Sequence, residues 1–198
     1  MVTRRAVLGF ALSLALPRAA RAEIELWAHK LIDAAKSQIG VTVSYDPAYR
    51  AITFPGGDVP REVGVCTDVI INAYRDAMAV DLQKLVNADM KQAFGDYPKM
   101  WGLKRPDPNI DHRRVPNLQT FFKRKGAVKP VPSDPRGYQP GDIVTVMLPG
   151  NLPHIALVAD QMTEDGSRPM VIHNIGGGAR MEDMLTVFQI SGRYRFPG

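Results

Sequence analysis

Apolar positions recur at helical spacing in the first half of the chain and at strand spacing in the second. Residues 24–39 carry Ile24, Trp27, Leu31, Ala34, Ala35 and Ile39 on one stripe, which predicts a helix stopped by Gly40. Residues 66–80 place Cys66, Ile70, Ala73 and Ala77 on one face, with Val69 and Tyr74 beside it, and predict a second. A third is expected over 81–94, with Asp81 as its N-cap and Leu82, Leu85, Val86, Met90 and Phe94 apolar. Asn117 is expected to cap a short fourth helix carrying Leu118, Phe121 and Phe122, with Gly126 after it.

Between these helices the pattern breaks twice. Residues 41–54 hold two short strand-like runs around Tyr45–Tyr49, read as a hairpin, and Pro55–Pro60 form a turn that delivers the chain to Cys66. Residues 94–117 make a long polar, proline-rich connection, and a loop of that length in a compact domain is usually functional or mobile. From Val128 onward alternating runs at 143–147, 154–159 and 170–173 are separated by turn residues, and 185–196 supplies one or two closing strands. Helices first and strands second predict an α+β domain with an antiparallel sheet, wound as a meander.

Composition changes this picture at the N-terminus. Arg4 and Arg5, the run of 11 apolar or small residues from Ala6 to Leu16, and Ala20-Arg21-Ala22 read as a cleavable export signal over residues 1–22. The run is too short to span a bilayer, and the paired arginines fit either the general or the twin-arginine route. The segment holds four arginines and no acid, so it carries +4 of the formal +5. The mature chain, residues 23–198, is near neutral, which removes the case for a nucleic-acid partner. A single periplasmic or otherwise exported domain is expected, monomeric and without a membrane anchor once cleaved.

The candidate chemistry centres on Cys66, the chain's only cysteine, at the predicted start of a helix. Exported thiols usually pair, and a thiol among first-turn N–H groups is a better nucleophile than most. A nucleophilic thiol needs a base and an orienting third group. Of the four histidines, His29 reads as a surface residue, His112 as a loop residue able to reach a cleft rim, and His154 and His173 as ends of neighbouring strands that can touch. Asp68 suits the helix dipole but opposes a thiolate if it faces one. The bland alternative is a buried Cys66 and two core histidines satisfied by backbone. Short-spaced ligand pairs are missing from the sequence, so no metal or other cofactor is expected.

The order Gly57…Pro60…Gly64-Val65-Cys66, Pro140-Gly141-Asp142-Ile143-Val144, His154-Ile155-Ala156-Leu157-Val158 and Val171-Ile172-His173 resembles the NlpC/p60 superfamily. Those are papain-like cysteine peptidases that cut peptide links in peptidoglycan. The phrases Gly64-Val65-Cys66-Thr67-Asp68 and Ile110-Asp111-His112-Arg113-Arg114-Val115-Pro116-Asn117-Leu118 resemble the uncharacterised bacterial family DUF1287, grouped with it. The resemblance implies a Cys-bearing helix packed on a sheet, with Cys66 as nucleophile, His154 as base and His173 as orienting group. It implies a hydrolase of peptidoglycan stem peptides, with Tyr45, Tyr49, Asp58, Asp68, Asp111, His112 and Arg113 as candidate substrate contacts. Two alternatives stand beside it: a non-catalytic envelope binding module on the same fold, and a cysteine acyltransferase.

Overall fold

The computed structural model describes residues 18–197; residues 1–17 lie outside it, and with them most of the expected export signal. Four α-helices precede a five-stranded antiparallel sheet, so the chain is α+β. Helix α1 (Arg18–Lys36) buries Ala28, Leu31, Ile32 and Ala35, and α2 (Cys66–Met78) buries Val69, Ile70, Ala73 and Tyr74. Helix α3 (Leu82–Ala93) starts on Asp81, whose side chain accepts from Lys84 N–H as expected. Helix α4 (Val115–Arg124) buries Leu118, Phe121 and Phe122.

Several local expectations change. Ile39 and Leu85 are exposed, because α1 ends three residues before Ile39 and Leu85 falls off the buried stripe of α3. Asn117 does not cap α4: the helix starts two residues earlier, and the Asn117 amide donates to Asp111 O inside the fold. No hairpin forms over 41–54. Strand β1 (Ser44–Tyr45) instead pairs in parallel with β2 (Val63–Gly64), and Pro47 soon after β1 has no N–H to continue a ladder.

The sheet runs β6-β5-β4-β3-β7, from β3 (Ile143–Leu148), β4 (Leu152–Met162), β5 (Pro169–Asn174), β6 (Ala179–Glu182) and β7 (Gln189–Tyr194). Strands β3 to β6 form the expected meander, and β7 returns to the free edge of β3. The region 185–196 therefore holds one strand, and the other closing strand lies earlier, over 179–182. The two faces differ. Ile143, Ile155, Leu157 and Ile172 meet the helices in the main core, while Val144, Ala156, Val158 and Val171 pack with Tyr138 and Leu185 on the other side.

The turn into β3 is fixed by charge and by a close approach. Gly141 has φ +85°, and a Cβ there would lie 2.8 Å from Ala28 Cβ, so only glycine lets α1 sit against the turn. Next to it Asp142 is fully buried and accepts from Gln139 N–H at 2.8 Å, Arg193 at 2.7 Å and Arg195 at 3.0 Å, tying the turn to β7 and the residues after it. Asp142→Ala removes the carboxylate both arginines converge on and is expected to cost about 3–5 kcal/mol. The measurement is the urea midpoint at unchanged m-value; a loss below about 1 kcal/mol would show that the cluster is not holding the turn.

Candidate functional site

Cys66 is the first residue of α2, and Val65 before it is extended, so the helix begins abruptly at the thiol. Asp68, three residues after Val65, accepts from Val65 N–H at 2.6 Å and closes the first turn. The same carboxylate takes a two-pronged contact from Arg113, Nε to Oδ1 and Nη2 to Oδ2, both 2.9 Å. The pair is buried, with side chains 2% and 8% exposed. Arg113 also reaches the carbonyls of Asp46 and Ala48, and Thr67 Oγ1 donates to Arg113 O at 2.9 Å. Three chain segments are thus locked around the helix start.

From the sheet, Asn174 at the end of β5 donates to Gly64 O at 3.0 Å and to Ser44 O at 3.3 Å. This holds the β1–β2 pair, and with it Tyr45, beside the thiol. Burial, and then the nearness of Cys66, pushes the Tyr45 phenol up to about 12. The backbone N–H groups of Ile155, Thr67 and Cys66 itself favour the thiolate. Burial outweighs these donors and pushes the thiol up to about 11, with Asp68 adding to the rise. The resting group is a protonated thiol.

Cys66 lines a cleft of about 400 Å³. Its walls are Tyr45, Tyr49 and Trp101, the prolines Pro47, Pro116 and Pro153, and the arginines Arg113 and Arg114. Arg114 stacks on Trp101, 4.1 Å from the ring centre, and pairs with Asp111 at 3.0 Å. Flat aromatic and proline walls with a cation at one side suit an extended peptide.

The two strand histidines meet. His154 Nε2 lies 2.8 Å from His173 Nδ1, and His173 Nε2 lies 3.0 Å from Glu182 Oε2 on β6. Their tautomers follow from the chain of contacts. A carboxylate only accepts, so His173 Nε2 donates; neutral His173 then accepts at Nδ1, and His154 must donate from Nε2. The lone pair of neutral His154 is left on Nδ1. Burial, then the neighbouring His173, pushes His154 down to about 3; burial also lowers His173, against the pull of Glu182.

Cys66 and His154 reach the same strand from different sides. Ile155 faces the helices and shares their core with Cys66, whereas His154 one residue earlier lies with Ala156 and His173 around a small cavity on the other face. Among the described residues no hydrogen bond joins Cys66 to either histidine. Of the candidate substrate contacts, Tyr45, Tyr49 and Arg113 line the cleft. The others do not. Asp58 pairs with Arg75 at 3.0 Å, Asp68 and Asp111 serve buried pairs, and His112 is 2% exposed rather than on a rim. The reason is that the 94–117 connection folds inward at a short 3-10 turn, Asp111–Arg113, instead of remaining a solvated loop.

Three residues of the site escaped the sequence reading: Glu182, Asn174 and Trp101. The polar–apolar–polar alternation Arg180-Met181-Glu182 after the glycine turn was the signal for β6. Among the described residues no group of three or more His, Cys, Asp or Glu is arranged to hold a metal, and no helix is long and apolar enough to cross a membrane.

A family model described as a domain of unknown function (DUF1287) matches residues 32–196. An uncharacterised protein of Escherichia coli K12, YijF, is 54% identical over 166 residues, covering 84% of this chain and 80% of its own.

Two outcomes follow from the protonation states. Alkylation of Cys66 should rise with pH toward a midpoint near 11, leaving it roughly 300-fold slower than a free cysteine at neutral pH; a midpoint at or below about 8.5 would contradict the buried thiol. His112 is likewise pushed down to about 3, by burial and then Arg113. The fold therefore keeps His112 and His154 neutral while the unfolded chain protonates both near 6.5. Their contribution is intact above about pH 6.5 and is lost as pH falls toward 3. His112→Asn should make the stability loss between pH 6.5 and 5 shallower by up to about 1.4 kcal/mol per pH unit, and an unchanged slope in urea unfolding would reject it.

Proposed function

The chain belongs to the DUF1287 family, and from the geometry of its cleft we propose that it is an exported cysteine hydrolase of the papain-like, NlpC/p60 kind, cutting an amide in peptidoglycan stem peptides. The observation that carries the reading is Cys66 in the wall of a peptide-sized cleft, at a helix start, with Tyr45 beside it. The ordered motifs from Gly64 to His173 support the same kinship.

In this reaction the thiol proton passes to Nδ1 of His154, the nitrogen whose lone pair the relay leaves free. The sulphur attacks the amide carbonyl, and the intermediate collapses to a thioester as the departing amine takes the proton from His154. Water, giving its proton to the same nitrogen, then hydrolyses the thioester and restores the thiol. His173 and Glu182 hold the imidazole in its working tautomer and stabilise the cation while it lasts. The route requires Nδ1 and the sulphur to come within hydrogen-bond reach. His154 adjoins Ile155 in sequence but lies on the opposite face of β4, so the start of β4 has to rearrange for the two groups to meet.

A second reading, a binding module that holds the peptide without cutting it, is favoured by the protonated thiol and by the missing hydrogen bond to a histidine. Purified stem peptides separate the two. The wild-type chain should release new amino groups and Cys66→Ala should lose at least about a thousandfold in rate, while still binding the peptide. Binding with no amine release by the wild type would reject the hydrolase.

A further inference from the structure

Tyr49 lines not only the Cys66 cleft but also a second, larger cavity of about 800 Å³ on the 102–109 segment. Three cations stand around it, Lys91, Lys104 and Arg105, all exposed and none in an ion pair among the described residues. Its one acidic side chain is Asp107, already engaged by the Tyr49 hydroxyl at 3.1 Å and by Asn109 N–H at 2.9 Å. Asn87 completes the wall. It is 3% exposed, and its Nδ2 has no hydrogen-bond partner. A buried donor left unpaired is costly, and the natural relief is a ligand oxygen.

We infer that this cavity seats a carboxylate-bearing part of the same peptide whose amide lies over Cys66. The inference rests on the reading of that cleft as a peptide site, and it extends the ligand past Tyr49. Lys104 and Arg105 meet the carboxylate at the cavity mouth, and the Asn87 amide, in the cavity wall, turns its unpaired N–H to an oxygen within. Phe54 supplies an apolar wall, with Lys91 5.8 Å from its ring centre. The carboxylate thereby selects acidic peptides over neutral ones and fixes which bond lies at the sulphur.

Binding is read on the full chain carrying Cys66→Ala, so that turnover does not enter. The probes are the tripeptide Ala-Glu-Ala with free carboxylates, its amidated counterpart, and inorganic phosphate, each titrated calorimetrically. The acidic tripeptide should bind roughly tenfold more tightly than the amidated one. The double variant Lys104→Glu/Arg105→Glu should erase that preference, and Asn87→Ala should weaken the acidic form. Raising salt from about 50 mM to about 500 mM on the unreversed chain gives the same readout by screening, should the double variant melt early. Equal binding of the two tripeptides, a preference that survives charge reversal, or phosphate displacing the tripeptide as a simple anion would each overturn the inference. An acidic preference in a chain that releases no amine upholds it and rejects only the hydrolase.

Discussion

The buried pair of Asp68 and Arg113 is the contact on which the site depends. One carboxylate closes the first turn of α2 through Val65 N–H and takes both prongs of a guanidinium from the 94–117 connection. The guanidinium then spends its remaining donors on the carbonyls of Asp46 and Ala48. A carboxylate and a guanidinium are expensive to remove from water, and only full hydrogen bonding makes the arrangement tolerable. The return is positional: helix start, tyrosine loop and cleft wall are fixed to one another at the thiol. Asp68 looked like an opponent of a thiolate from the sequence. With Arg113 upon it, its opposing charge is largely countered, although it still contributes to the raised thiol.

The sheet does the equivalent work for the histidines. Antiparallel pairing of β4 with β5 and β5 with β6 sets His154, His173 and Glu182 in a line, each on the face that alternation dictates. The line has a direction, because a carboxylate at one end permits only one set of neutral tautomers. Asn174, next to His173 but on the opposite face, ties the strand to the β1–β2 pair and so to Tyr45. One short strand end therefore orients the relay with one residue and the thiol's neighbour with the next.

What could be read from the sequence were features written in local periodicity. The Cys66 helix, the Asp81 cap, the three main strands and the approach of His154 to His173 all follow from spacing of 3.6 or 2 and from short turns. What could not be read depended on partners far along the chain. Ser44 and Tyr45 pair with Val63 and Gly64 in parallel, a geometry with no local signature. Asp111, His112 and Arg113 look like a solvated run, and only the distant Asp68 makes burying Arg113 favourable. Glu182 was missed because β6 spans four residues, too few for a pattern to stand out.

Burial sets the energetic state of the centre. It pushes Cys66 up to about 11 and His154 down to about 3, so thiol and imidazole are both neutral at physiological pH. An ion pair of the papain type would need thiolate and imidazolium to repay their desolvation by touching, and the contacts that stabilise each half are instead made separately. Cys66 has the nearby N–H groups of the helix start and of Ile155; the imidazole has its relay. On the proposed reading, proton transfer is then coupled to a ligand filling the cleft, since only contact between the halves makes the charged pair competitive. A cleft that must be filled before its thiol ionises also protects that thiol, because the form that oxidises most readily is the thiolate.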